Sequence, residues 1–399
     1  MQSIVFRVTL LAGTWLLLAA CDSGNDNPAP ANAAQSGGGP GGSGGISAGG
    51  ASGSSTQGGV AGAAGSSSLG CLVGDAANAV ALPTLPGAGD LPTPSGTDAN
   101  LRVLPWAGFG SAITYTFDDT QPSQIDHWAE LKAEGVRMTF YANPSQTWYA
   151  GYNTTWQDAI AQGSEIGNHT WSHCHANLTC DNNQKPLATV DQEIDQCSTY
   201  ITTTLGQSGV WTFASPYGET AYKPYLQGRF FLNRGVGSGM IAPGGTTDPL
   251  NLPIIGAAGG EAASAFNGRI DTARTQGQWA IFLFHSILPT SNNWYAGVDI
   301  ASITGSIQYA KGLGDVWIDT LVNVGAYWLG QRAFEAAAPV TANGTTTWSW
   351  SLPTCFPPGH FLRVTVDGGT LSQNGQELVW DGHGYYAVAL DAGSLTWAP

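Results

Sequence analysis

Only seven histidines occur in 399 residues, and three of them fall within the octet Asn168-His-Thr-Trp-Ser-His-Cys-His175. Imidazoles four residues apart, here His169 and His173, share one side of a helical turn, a spacing suited to holding a single metal ion. Two histidines plus one carboxylate form an open catalytic set that leaves positions for water and substrate. The carboxylate is available from Asp118-Asp119, which end the alternating run Ile113-Thr-Tyr-Thr-Phe117. Adjacent residues on an extended chain point in different directions, so one aspartate can bind a metal while the other handles a proton. His175 reads as a flanking polar residue, with a part as a third imidazole ligand as the alternative. Cys174 and Cys180 lack the pair-and-pair spacing of a structural zinc site.

Two further groups carry chemical potential. In Ser215-Pro-Tyr-Gly218 the proline fixes the chain and the glycine releases it, so a backbone N–H near Tyr217 can face an oxyanion; an ordinary turn is the competing reading. His285 closes the apolar run Trp279-Ala-Ile-Phe-Leu-Phe284, a position suited to acid–base work or to a satisfied core histidine.

These residues need elements to place them. Strands are expected at Ala112–Phe117, Val136–Tyr141, Ser164–Asn168, Val210–Ala214, Phe230–Val236 and Trp279–Phe284. Helices are expected at Ser123–Gly135, Trp156–Gln162, Val190–Leu205, Ala263–Gly277 and Asp315–Phe334. Such alternation predicts an α/β domain of parallel strands, as a barrel or an open sheet. In these folds the carboxyl ends of the strands form the catalytic face, and Asp118-Asp119, His169, Tyr217 and His285 all fall there. After about Ala337 the pattern changes to short strands at Thr345–Leu352, Phe361–Val366, Glu377–Trp380, Tyr385–Leu390 and Leu395–Trp397, divided by glycine-rich turns. This is a small antiparallel β module, either a structural cap whose aromatics form its own core or a sugar-binding unit using Trp348, Trp350, Trp380 and Tyr386.

Together, Thr116-Phe-Asp-Asp119, His169-Thr-Trp-Ser-His173, Ser215-Pro-Tyr-Gly218 and Leu283-Phe-His285 resemble the successive motifs of the polysaccharide deacetylase (NodB-homology) family, over about Trp106–Leu329. The resemblance implies a distorted (β/α) barrel and a divalent metal, usually zinc. It implies Asp119, His169 and His173 as metal ligands and Asp118 as general base. The Tyr217 backbone N–H would serve the oxyanion and His285 the leaving group. The implied reaction removes acetyl groups from an acetylated polysaccharide or oligosaccharide, with N-acetylhexosamine polymers of the chitin or peptidoglycan type favoured. O-acetyl (xylan-type) esterase activity, and a non-catalytic cell-surface carbohydrate-binding protein on the same fold, are the alternatives. The chain departs from the pattern at Ala214, where the third motif often has an arginine that holds the base. Arg234 is a candidate substitute or a structural salt-bridge partner. Asp248 and Asp271 are candidates for the fourth motif, which supports the acid histidine, and Thr120 stands in place of the usual glycine.

The rest of the chain sets the context. Residues 1–21 read as a lipoprotein-type signal peptide ending in Leu18-Ala-Ala-Cys21, with Cys21 as the lipidated residue; an ordinary leader with a chance cysteine is the alternative. Residues 22–75 are Gly/Ser-rich and read as a flexible linker, 76–335 as the catalytic domain, and 336–399 as the β module. The expected protein is an exported, monomeric bacterial lipoprotein of the cell envelope, touching membrane only through its anchor. A formal net charge of −15 argues against nucleic acid and against adsorption on anionic lipid. With 10% charged residues and 15 Trp, the composition suits a neutral polyhydroxylated ligand. Trp148-Tyr149 and Trp294-Tyr295 are candidate cleft residues. Export permits disulfides among Cys71, Cys174, Cys180, Cys197 and Cys355, whose pairing the sequence leaves open.

Overall fold

The computed structural model describes residues 70–72, 80–146, 149–181 and 184–399. The leader with Cys21, nearly all of the 22–75 linker, and Trp148 lie outside these described residues.

The core is a ring of parallel strands. They are β1 (Ser111–Phe117), β2 (Thr139–Ala142), β3 (Glu165–Asn168), β4 (Thr212–Ala214), β5 (Leu232–Ser238), β6 (Leu252–Gly256), β7 (Trp279–Phe284) and β8 (Val316–Ile318). Strands β1 to β7 pair in chain order, and β7 pairs back onto β1 from Ala112–Trp279 to Phe117–Phe284. The eighth strand pairs with the first half of β1, through Ser111 to Ile113, while β2 pairs only with Thr116 and Phe117. The ring is thus a distorted (β/α) barrel, splayed where β8 is wedged in.

Period-two side-chain alternation explains why β1 is buried throughout. Ile113, Tyr115 and Phe117 join one apolar cluster, with Phe140, Phe282 and Phe284. The intervening Thr114 and Thr116 bond the Trp279 indole and the Phe282 carbonyl. A second apolar cluster contains Trp279, Ile281 and Leu283 of β7 together with Leu362, Val364, Val388 and Leu390 of the C-terminal sheets.

Between barrel and sheets lies the helix Leu321–Glu335, buried over most of its circumference. A Cβ on its Gly325 would fall 2.2 Å from Leu232, and one on Gly330 would fall 2.4 Å from Leu390, so both faces are in close contact. The sequence predicts one helix over Asp315–Phe334. Instead Val316-Trp-Ile318 forms β8, and the helix restarts where the Thr320 side chain accepts from the Asn323 amide. The β-branched and aromatic residues ahead of that cap favour strand. The expected Ser123–Gly135 helix is likewise two short helices, Pro122–Asp126 and Trp128–Ala133, divided at His127. Strand β6 and the helix Ile300–Leu313 were not legible in the periodicity.

The C-terminal residues build two antiparallel sheets. One includes Arg102–Val103, which precedes the barrel and pairs with Phe361–Thr365. Of the aromatics considered for sugar binding, Trp350 and Tyr386 are buried, and Trp348 and Trp380 pack against the second cluster. Disulfides join Cys71 to Cys355 and Cys174 to Cys180, and Cys197 is a buried free thiol.

At the end of the barrel away from Asp118, the buried Glu165 carboxylate accepts from Thr212 Oγ1, Thr139 Oγ1 and the Val322 amide at 2.6, 3.0 and 3.0 Å. Burial pushes its carboxyl up to about 7, with these donors pulling the other way. The folded state therefore holds the proton to higher pH than the unfolded chain. The stability this contributes is present below the ordinary carboxylate range and is lost as pH rises through about 7. Glu165→Gln is expected to flatten the slope of unfolding free energy against pH between the ordinary carboxylate range and about 7, read by urea unfolding at stepped pH. Leu390→Ala, which empties the contact on Gly330, is expected to cost about 2–5 kcal/mol in the same assay.

Candidate metal and acid–base centre

Strand β1 delivers its two carboxylates differently. The Asp118 amide continues the ladder to the Phe284 carbonyl at 2.9 Å, keeping Asp118 on the buried wall. The chain then reverses through two successive left-handed residues, Asp119 (φ 70°) and Thr120 (φ 47°), where glycine would be unstrained. This reversal swings the Asp119 carboxylate toward the histidine loop. Gln121 Nε2 donates to its Oδ2 at 3.0 Å and Asn143 Nδ2 to its Oδ1 at 3.4 Å.

His169 follows β3, and its Nδ1 lies 2.7 Å from the Ala214 carbonyl. A carbonyl only accepts, so Nδ1 carries the proton and Nε2 is left free. Nε2 of His169 and Nε2 of His173 each stand 3.6 Å from Asp119 Oδ1. Ligand atoms from the three residues all lie within 4.8 Å of one another. The segment joining the histidines is an irregular loop, not the helical turn that the spacing suggested, because Thr170 (φ 62°) and His173 (φ 51°) are left-handed. Buried polar side chains support it. Asn168 Oδ1 accepts from the Thr170 amide, Thr170 Oγ1 from the His173 amide, and Glu193 from the Ser172 and Leu187 amides.

The electrostatics suit a cation. Burial pushes the His169 imidazole down to about 4, against the pull of Asp118 and Asp119, so it is neutral and ready to ligate at ordinary pH. Burial alone would raise the Asp119 carboxyl, but His173, His169 and His285 outweigh it and hold it below the usual carboxylate range. An ionised carboxylate beside imidazole nitrogens with free lone pairs is a donor set for a divalent ion, and the three residues can hold one.

Asp118 stands behind this set. Its Oδ2 is 3.7 Å from His169 Nε2 and 3.9 Å from His285 Nε2. The fully buried Arg234, on β5, places Nη2 at 2.5 Å from both carboxylate oxygens. His285 meets the edge of Tyr295, with centroids 4.8 Å apart. Gln124, which sequence reasoning missed, ties β1 to β7: its Nε2 donates to the Asp118 and His285 carbonyls at 2.6 and 2.9 Å. Nothing in its local sequence marks it; only the closure of the ring brings it there.

Tyr217 sits at φ 56°, ψ 11° in the turn after β4. Its hydroxyl donates to the His173 carbonyl at 3.2 Å, and its ring stacks on His175 at 4.0 Å. Gly218 is required there, since φ is +69° and a Cβ would lie 2.1 Å from Val236. His175 turns to Glu219, with Nδ1 to Oε1 2.6 Å, and lies outside the group that can hold the ion. The two candidates for supporting His285 are engaged elsewhere: Asp248 pairs with Lys223, and Asp271 accepts from the Tyr309 hydroxyl.

Residues 110–227 match the family model described as polysaccharide deacetylase. That segment belongs to the polysaccharide deacetylase family. The match spans Asp118, Asp119, His169, His173 and Tyr217 and ends before Arg234 and His285. Among solved structures, the chain is similar to the Xyl-CE4 domain of a multidomain xylanase from the hindgut metagenome of Trinervitermes trinervoides, at 16% identity and TM-score 0.36, covering 54% of this chain and 89% of that one. Peptidoglycan deacetylase PdaC from Bacillus subtilis is similar at 18% identity and TM-score 0.36, with 54% and 90% covered. A family 4 carbohydrate esterase from Streptomyces lividans is similar at 18% identity and TM-score 0.34, with 54% and 95% covered. A search of curated proteins gives no match.

His169→Ala or Asp119→Asn is expected to reduce zinc retained after dialysis from about one ion per chain to near none, measured by elemental analysis. Retention of a full equivalent by both variants would remove the assignment of this group as the ion's site.

Proposed function

We propose that the chain is a metal-dependent hydrolase that removes acetyl groups from an acetylated polysaccharide or oligosaccharide. The observation that carries this reading is the convergence of Asp118 with His169 on one side and His285 on the other, beside three residues able to hold an ion. A divalent ion held by Asp119, His169 and His173, zinc in the first instance, would supply Lewis acidity toward the acetyl carbonyl and the attacking water when bound. Asp118 takes the proton from the water, in a pocket where bulk solvent is largely excluded. The Tyr217 backbone N–H is assigned to the tetrahedral oxyanion. His285, more open than Asp118, returns a proton to the departing amine or alcohol. No group in this scheme forms a covalent intermediate.

N-acetylhexosamine polymers of the chitin or peptidoglycan type are the proposed substrates, and acetylated xylan is the ester counterpart. His285 separates the two. An amine is a far poorer leaving group than an alcohol, so loss of the acid should penalise amide cleavage more. The same reading keeps the protein a monomer, exported and tethered through a lipidated Cys21. A purely carbohydrate-binding role would not require base, acid and ion-holding residues in one pocket.

Asp118→Asn is expected to lower acetate release by about 10²–10⁴-fold while zinc content stays unchanged. Unaltered turnover on every acetylated glycan that the wild type cleaves would sink the base assignment. His285→Ala, assayed on chitin oligosaccharides and acetylated xylan in parallel, should lose more on whichever substrate is an amide.

A further inference from the structure

We infer that Arg234 is the positioning residue for Asp118, and that it separates the two adjacent aspartates into a proton acceptor and an ion ligand. The inference rests on the hydrolase reading above and deepens it.

Proximity to His169 alone does not divide the two carboxylates, although only Asp119 also lies beside His173. His169 Nε2 is 3.7 Å from Asp118 and 3.6 Å from Asp119, so either could serve an ion at that nitrogen. Their other partners differ. Asp119 is met by neutral amides, from Gln121 and Asn143, and by the second imidazole, His173. Asp118 is met by a guanidinium that engages both of its oxygens. A fixed positive charge on the far side draws Asp118 away from a second cation and fixes the direction in which its oxygens point. The guanidinium is itself held, with Nη1 donating to the Gly235 carbonyl at 3.2 Å and its carbon 5.2 Å from the Tyr141 ring centroid.

The barrel explains how an arginine on β5 reaches a carboxylate on β1. In a ring of seven, the walk β1-β2-β3-β4 and the walk β1-β7-β6-β5 are the same length. Strands β4 and β5 are therefore equally far across the lumen from β1. Their register pairs Ala214 directly with Arg234. Paired residues on neighbouring parallel strands present side chains to the same face, about 4.8 Å apart, a gap that an arginine side chain spans easily. Position 214 carries a methyl group and position 234 the long cation. The two positions are geometrically equivalent stations for the same charge.

Four proteins test this: wild type, Arg234→Lys, Arg234→Leu, and the exchange Arg234→Ala/Ala214→Arg, each checked for folding by circular dichroism and loaded with zinc. In Arg234→Leu, kcat is expected to fall by about 100-fold, the scale of a 1 Å misplacement, with KM within about threefold and zinc stoichiometry unchanged. Arg234→Lys should fall between, because a point charge replaces the fork. The exchange should recover kcat to within about tenfold of wild type. Wild-type kcat in Arg234→Leu, or a folded exchange variant no better than Arg234→Leu, would overturn the inference. Should the leucine variant not fold, wild-type kcat in Arg234→Lys, or a folded exchange variant no better than Arg234→Lys, overturns the inference. A wild type that releases no acetate from any glycan would refute the hydrolase reading instead. The arginine is then judged by crystal structures of the wild-type and Arg234→Lys proteins with zinc. Displacement of the Asp118 carboxylate toward the ion supports the inference, and an unmoved carboxylate overturns it.

Discussion

A buried guanidinium facing a buried carboxylate is the constraint on which the centre turns. Neither Asp118 nor Arg234 has solvent to lean on, and removing one would strand the other at a cost of about 3–5 kcal/mol. A pair of this kind is a weak source of stability compared with a well-packed apolar alternative, so its presence here argues for orientation. It requires β1 and β5 to face each other across the lumen. That in turn requires the ring to close through β7, a closure backed by the aromatic packing of Tyr115 and Phe117 on Phe282 and Phe284.

Around this pair the backbone is held in conformations that an isolated chain would avoid. Asp119, Thr120, Thr170, His173 and Tyr217 all have positive φ without being glycine. Each sits in a turn at the carboxyl end of a strand or in the loop beyond it, and Asp119, Thr170, His173 and Tyr217 each make a polar contact that braces them. Strain gathered at one end of a barrel, with regular strands beneath it, is the pattern of a site preorganised by its surroundings.

How much could be read beforehand follows from which forces are local. The paired aspartates, the His169/His173 spacing and the Ser215–Gly218 turn are short-range signals, and the alternation of strands and helices fixed the fold class. The histidine loop departs from the helical turn its spacing suggests because Thr170 and His173 are left-handed, and part of its bracing comes from Glu193, 21 residues from the Ser172 amide it accepts from. Val316–Ile318 forms a strand yet reads in the sequence as part of the following helix, because an apolar triplet beside a helix has no period of its own. Gln124 and Arg234 gain their meaning only when the ring closes, since their partners lie 161 and 116 residues away. The pairing of five cysteines is likewise a tertiary fact. Cys71 reaches across 284 residues to Cys355.

The short Cys174–Cys180 bridge has a consequence for metal selection. Cys174 immediately follows His173, so a free thiolate there would be a soft donor within one residue of an imidazole ligand. Oxidation takes that sulfur out of competition. Any ion held there would be left with nitrogen and oxygen donors, and a chain folded under reducing conditions would offer it a different choice.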